Sequence, residues 1–264
     1  MEMGAVDWMD SMEILTKPLV DASPLLNNAA GLRELAERDG FLWLRGLFPV
    51  DTVLALRAAV EEFARRTGWL EDDGLAKAGK RVGDYMDPEW VNLQVHVQNR
   101  EEMWALGDHV AIHQALRAAE GRSSYLNLST ANTCRVFSPH EDMATQPHQD
   151  AHYFRLIADF WTVWVPLGDC PVELGPLALL AGSHRGGMLD HTGHGIVDGG
   201  VVMPEDRVWS AGDLSCGDAI LFRPLTVHRS LPNRSGTRLR MSADYRYGFW
   251  EGEPAVDWRR PQIL

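Results

Sequence analysis

The sequence predicts a mainly β fold with flanking α-helices: a jelly roll buttressed by helices from the N-terminal part of the chain. Two observations carry this. Helical periodicity is concentrated before Gly121. After it, short apolar or alternating runs recur between Gly, Pro, Asn and Asp clusters. Short strands with regular turn signals point to a sandwich or barrel, and helices placed before strands point to layers of different type.

Taken in order, residues 1–28 read as a polar leader with little periodicity. Residues 31–39 predict a helix with Leu32, Leu35 and Ala36 on one face, stopped by Gly40. Residues 41–44 predict a short strand ended by Gly46. Asp51 is the expected N-cap of a second helix, with Val53, Leu56, Val60 and Ala64 on one stripe and Gly68 closing it. Residues 91–98 alternate: Val91, Leu93, Val95 and Val97 against Asn92, Gln94, His96 and Gln98. That pattern predicts a strand with one polar face. A third helix is expected from Asn99, with Glu102 completing a capping-box pattern, to about Gly121. Strands are then predicted at 125–130, 133–138, 161–167, 177–180, 219–222 and 239–247. The expected organisation is one domain over 1–264: the leader, a mainly helical support at 29–121, and a jelly-roll core at 122–250.

The chain has 264 residues and a formal net charge of −12. Such a polyanion is a poor partner for nucleic acid or an anionic membrane. The expected partner is a small molecule; the sequence does not indicate an oligomeric state. The three cysteines contain no CxxC pair, which suggests a reducing compartment. The acidic N-terminus lacks signal-peptide character and no apolar run is long enough to span a bilayer, so the expected location is cytoplasmic.

The chemistry is concentrated in Gln146-Pro147-His148-Gln149-Asp150. In a strand, residues two apart share a face, so His148 and Asp150 are expected to meet one metal ion. The run Gly217-Asp218-Ala219-Ile220-Leu221-Phe222 reads as a turn and strand leading to His228. Two histidines and a carboxylate occupy one face of an octahedral ion and leave positions open for a chelating co-substrate and O2, which suits iron(II). Further on come Ser230, Arg238 and Arg240. A buried arginine grips a carboxylate through paired hydrogen bonds, and a serine adds another. Arg238 and Arg240 are expected on one strand face, which leaves the choice between them open.

These segments, with residues 38–49, Thr162-Val163-Trp164-Val165-Pro166-Leu167, Glu173-Leu174-Gly175-Pro176-Leu177 and Gly182-Ser183-His184-Arg185, resemble the phytanoyl-CoA dioxygenase family in order and spacing. The resemblance implies a double-stranded β-helix (cupin-like), iron(II), 2-oxoglutarate and O2. It places the metal on His148, Asp150 and His228, and the far co-substrate carboxylate on Arg240, aligned through Arg246-Tyr247. It matches Ser230 to a hydroxyl near the co-substrate, Trp164 to its aromatic wall and Asn132 to an amide contact. Gln94 stands where a basic residue is common, and Gln94 and His96 are expected at the substrate mouth. Related halogenases bind chloride where Asp150 stands, so the resemblance implies hydroxylation, with release of succinate and CO2. The substrate expected is a small apolar metabolite; no basic cluster suggests coenzyme A. The competing classes are a jelly-roll metalloenzyme that needs no 2-oxoglutarate and a non-catalytic binding protein. Of the remaining histidines, His109 and His113 suggest a solvated helix face, His191 and His194 a glycine-rich loop, and His184 an exposed or capping position in a turn.

Overall fold

A computed structural model describes residues 14–75, 88–126, 132–139, 144–154, 159–192, 200–204 and 206–250. The predicted strand residues 127–130, His194 and residues 1–13 of the expected leader lie outside these residues.

Helix α1 (Ala29–Asp39) starts where the Asn28 side chain accepts from the Gly31 N–H at 3.1 Å, and ends at Gly40 with φ +82°. Only glycine adopts that conformation without penalty. Leu32, Leu35 and Ala36 are its buried residues, as the periodicity requires. Strand β2 (Phe41–Leu44) follows, then α2 (Val50–Arg66). Pro49, not Asp51, holds the N-cap position; Asp51 lies in the first turn, where its charge favours the helix N-terminus.

Residues 91–98 are not a strand. They belong to α3 (Pro88–Gln98), whose buried residues are Leu93, Gln94 and Val97, while Val91 and Val95 are 50% and 57% exposed. The apolar positions alternate, but burial follows the helical spacing of four from 93 to 97. Pro88 at the first position and Glu89 beside it are the helix-start signals that the alternation masked. The expected third helix is two: α4 (Glu101–Gly107) and α5 (Val110–Glu120). The Asn99 amide donates to the Val95 carbonyl at 2.7 Å, so it closes α3 rather than starting α4. The ring of His109 caps α5 through the Ala111 N–H.

The strands that follow are β3 (Ser123–Leu126), β4 (Thr133–Phe137), β5 (Phe160–Pro166), β6 (Leu177–Leu179), β7 (His191–Thr192), β8 (Gly200–Val201), β9 (Trp209–Ser210), β10 (Ala219–Phe222), β11 (His228–Ser230) and β12 (Arg240–Trp250). One sheet runs β2-β10-β5-β12-β3, with β4 also paired to β12. A second sheet adds to β9, β6 and β11 a strand from the expected leader, β1 (Thr16–Lys17), parallel to β9. A two-residue exposed strand is too short to show periodicity. β7 and β8 form a separate pair.

Alternation along the strands sorts the core. On β12, Met241, Ala243, Tyr245 and Tyr247 join one hydrophobic cluster with Leu32, Leu56, Val60, Leu116 and other helical residues. The alternate residues Arg240, Ser242, Asp244 and Arg246 are buried and polar. By the two-residue period of a strand they share the opposite face. A second cluster lies between the sheets, joining Phe41, Trp164, Ile220 and Phe222 to Leu177 and Leu179. The polar row therefore faces the space between the sheets.

The turn into β10 is held by one carboxylate. Gly217 has φ +97°, and a Cβ there would meet the Phe48 carbonyl oxygen at 2.6 Å. Buried Asp218 then accepts from the Gly46 N–H at 2.9 Å, the Ser215 N–H at 3.1 Å and the Trp43 indole at 3.2 Å. Asp218→Ala strands these donors, each worth about 1–3 kcal/mol when buried. With partial access of water, the expected loss is about 2–4 kcal/mol in urea unfolding. A loss under about 0.5 kcal/mol would contradict this role.

Candidate metal centre

His148 and His228 are brought together by the backbone. Each N–H donates to the other's carbonyl, at 2.9 and 3.0 Å, and the two rings lie 4.2 Å apart. Asp150 does not reach the site by strand alternation. Gln149 is extended, and the chain then enters α6 (Asp150–Tyr153), which swings the carboxylate round. Asp150 Oδ1 lies 3.9 Å from His148 Nε2 and 3.5 Å from His228 Nε2. The three ligand atoms lie within 4.8 Å of one another, and all three residues are buried.

Hydrogen bonds fix which atoms are free. His148 Nδ1 faces the Gln146 carbonyl at 2.6 Å, and His228 Nδ1 faces the Thr226 carbonyl at 3.0 Å. A carbonyl only accepts, so both protons sit on Nδ1 and both Nε2 lone pairs point to one place. Asp150 Oδ2 accepts from Thr162 Oγ1 at 2.6 Å and from Arg246 at 2.8 Å, leaving Oδ1 toward the imidazoles. Burial favours the neutral acid, but the Arg246 guanidinium outweighs it and holds Asp150 well below the usual carboxylate range. Burial, reinforced by His228, pushes His148 well below the usual imidazole range, so it is neutral and able to ligate. Two imidazole nitrogens and one carboxylate oxygen are a fitting donor set for iron(II).

Thr162→Val keeps the shape and removes one hydrogen bond to Asp150. Loss of such an outer partner typically costs about 10–100-fold in metal affinity. That loss is expected in a cobalt(II) titration of this variant; unchanged affinity would remove Thr162 from the site.

Farther along the inner face of β12, Arg240 is 2% exposed. Its Nη1 donates to Ser242 Oγ at 2.7 Å, and its guanidinium lies 4.0 Å from the Phe137 ring centre and 5.9 Å from that of Trp164. Its Nε has no hydrogen-bond partner and no carboxylate pairs with it among the described residues. Burial lowers its pKa to about 10. A buried cation left this way is suited to an incoming carboxylate. Arg238 does not share that face. It precedes β12, its side chain is 45% exposed, and it pairs with Glu173 at 2.6 Å.

The other expected site residues are distributed as follows. Buried Trp164 lies between the sheets, near Arg240. Ser230 Oγ accepts from the Thr145 N–H at 2.7 Å. Asn132 Oδ1 accepts from the Arg246 N–H at 2.9 Å. Gln94 and His96 are not gathered here. The Gln94 amide bonds both the N–H and the carbonyl of Cys134, closing the free edge of β4 from α3. His96 contacts the Ala59 carbonyl of α2 at 3.1 Å and lines a surface groove of about 570 Å³ between α2 and α3. His113 is tied to Asp108 and Ser124 at 2.9 and 2.8 Å rather than simply solvated. His184 contacts the Glu37 carbonyl at 3.1 Å and is only half-buried. Thr162 and Arg246 escaped sequence reasoning as functional residues, because their role depends on which strands pair. Register sets Arg246 beside Thr162.

Residues 36–242 match the phytanoyl-CoA dioxygenase (PhyH) family. The chain belongs to this family. As a phytanoyl-CoA dioxygenase family member it is an iron(II)- and 2-oxoglutarate-dependent oxygenase acting on a small molecule. It is 27% identical to the 1-deoxypentalenic acid 11-beta-hydroxylase of Streptomyces arenae, over 86% of this chain and 83% of that protein. It is 26% identical to the peroxisomal phytanoyl-CoA dioxygenase of Rattus norvegicus, over 83% and 69%. In fold it is similar to the non-haem α-ketoglutarate-dependent carbocyclase SnoK of nogalamycin biosynthesis, with TM-score 0.61, 21% identity and coverage of 88% and 87%. The epimerase SnoN of that pathway, solved with Fe3+, α-ketoglutarate and nogalamycin RO, gives TM-score 0.58 at 22% identity, with coverage of 84% and 86%. No helix of the described residues is long and apolar enough to cross a membrane.

Proposed function

We propose that this protein hydroxylates an unactivated C–H bond of a small, largely apolar metabolite in specialised biosynthesis. The balanced reaction is R–H + 2-oxoglutarate + O2 → R–OH + succinate + CO2. Bound iron(II) with 2-oxoglutarate supplies the oxidant. The observation that carries this reading is a three-ligand centre together with buried Arg240, which has no carboxylate partner among the described residues and shares the inner face of β12 with Arg246, the partner of Asp150.

In this reading the protein's own residues bind, orient and exclude water. His148 and His228, each held through Nδ1 by a backbone carbonyl, present their Nε2 atoms, and Asp150 stays anionic beside Arg246 and Thr162. Arg240 takes the far carboxylate of 2-oxoglutarate, with Trp164 as a wall, Ser230 as a nearby hydroxyl and Asn132 acting through the backbone of Arg246. Phe222, 4.4 Å from the His228 ring, and the other apolar residues between the sheets keep the site dry. Gln94 and His96 are left as supports of α3. The fold is read as a double-stranded β-helix, with the helices on the outer face of the six-stranded sheet as its buttress and one domain across 1–264. We assign the enzyme to the cytoplasm. The relatives named for 1-deoxypentalenic acid and nogalamycin biosynthesis support a specialised metabolite as substrate.

The test supplies iron(II), 2-oxoglutarate and ¹⁸O2 with a panel of apolar metabolites. Substrate-stimulated succinate and one ¹⁸O atom in the product are expected. Product oxygen from water alone, or turnover independent of 2-oxoglutarate, would refute the reaction class; a chlorinated product would refute hydroxylation.

A further inference from the structure

Gln149, between the two ligands of the His-x-Asp motif, has no exposed surface. Its side chain makes three hydrogen bonds, all to backbone. Nε2 donates to the Gly187 carbonyl at 2.8 Å and to the Leu225 carbonyl at 2.7 Å, and Oε1 accepts from the Leu189 N–H at 2.8 Å. Its own N–H donates to His191 Nε2 at 3.1 Å. The tautomer is consistent, since His191 Nδ1–H donates to the Leu189 carbonyl at 2.9 Å. The His191 ring also stacks on that of His152, 4.0 Å apart and 8° from parallel. Beside these, the Val201 N–H donates to the Pro147 carbonyl at 2.7 Å.

We infer that Gln149 is a positioning residue that locks the His148–Asp150 turn to the segment before His228 and to the 187–191 segment. The inference rests on reading His148, Asp150 and His228 as the iron ligands. Leu225 precedes Thr226, whose carbonyl orients the His228 ring. One amide therefore adds a buried side-chain tie between the two ligand-bearing segments, beside their backbone pairing. The same amide holds residues 187–191 against the metal turn, so that segment cannot leave without stranding buried polar groups. An amide is the side chain that suits this place. Two carbonyls need a pair of N–H donors and the Leu189 N–H needs an acceptor, which a carboxylate or an alkyl chain cannot all supply. Metal uptake and ordering of the 187–191 segment should then be coupled.

The test uses the full chain with cobalt(II) alone, read by its visible absorption and by amide hydrogen exchange. Gln149→Met keeps the volume and removes the hydrogen bonds. It should bind cobalt(II) about 10–100-fold more weakly, the range seen for lost outer partners of metal ligands. Its cobalt bands should shift, and cobalt should no longer slow exchange across 187–191 as it does in the wild type. Val60→Ala, in the core beside the helices, controls for loss of stability; its cobalt spectrum should match the wild type. Wild-type affinity and bands in Gln149→Met, or equal changes in Val60→Ala, would overturn the inference. Should Gln149→Met fail to fold, His191→Phe decides, because it removes the acceptor of the Gln149 N–H and the donor to the Leu189 carbonyl, both ties of the 187–191 segment, and keeps a ring to stack. Weaker cobalt binding with lost exchange coupling supports the inference, and wild-type behaviour refutes it. A wild type that takes up no cobalt would instead overturn the metal reading itself, and this inference with it.

Discussion

Replacing His148 or His228 with alanine is expected to abolish turnover while the protein stays folded. Each removes one of three protein ligands, and metal affinity should fall further than the roughly 10–100-fold that loss of an outer partner costs. The measurement is thermal unfolding with and without cobalt(II). A metal held at 100 times its Kd stabilises the wild type by about 2.7 kcal/mol. That increment should vanish in both variants. Asp150→Ala should behave differently. It leaves Arg246, 1% exposed, without the carboxylate 2.8 Å away. Breaking a buried pair from one side typically costs about 3–5 kcal/mol, so this variant should be inactive and markedly less stable. Full activity in any of the three would sink the triad.

Arg240→Ala is expected to separate stability from function. A buried charged contact removed from one side costs about 2–5 kcal/mol when its partner stays buried, which is roughly a 30- to 4,000-fold higher 2-oxoglutarate requirement at about 1.4 kcal/mol per tenfold. Without co-substrate the sign differs. Arg240 has an unpartnered Nε and a pKa lowered by burial, so the folded protein carries the cost of a dry guanidinium. Replacing it should leave the metal-free protein as stable as before, or more so if methionine fills the space. Arg238→Ala removes only an exposed pair with Glu173, worth about 0–1 kcal/mol, and should leave the 2-oxoglutarate requirement unchanged. Titrating 2-oxoglutarate against succinate production distinguishes them. The opposite assignment, with Arg238→Ala defective and Arg240→Ala normal, would move the clamp by one pleat.

The sequence by itself determined the elements with strong local signals. Gly40 and Gly121 end helices in the left-handed conformation, and the 3.6-residue stripes of α1 and α2 sit in the core. The short runs between turn residues became β4, β5, β6, β10 and β12. The candidate metal ligands were also legible, because the chemistry of iron(II) demands a rare combination of residue types at compatible spacing. Tertiary structure decided what local pattern leaves degenerate. Residues 91–98 satisfy strand alternation, yet docking on α2 and on the free edge of β4 selects the helix and uses Gln94 to close that edge. Arg238 and Arg240 have equal parity, and only the point where β12 begins separates an exposed ion pair from a buried guanidinium. The support around the ligands was invisible for the same reason. Thr162, Arg246 and the loops bound by Gln149 are distant in sequence from the atoms they hold, and only strand register and chain reversal bring such partners within hydrogen-bond reach.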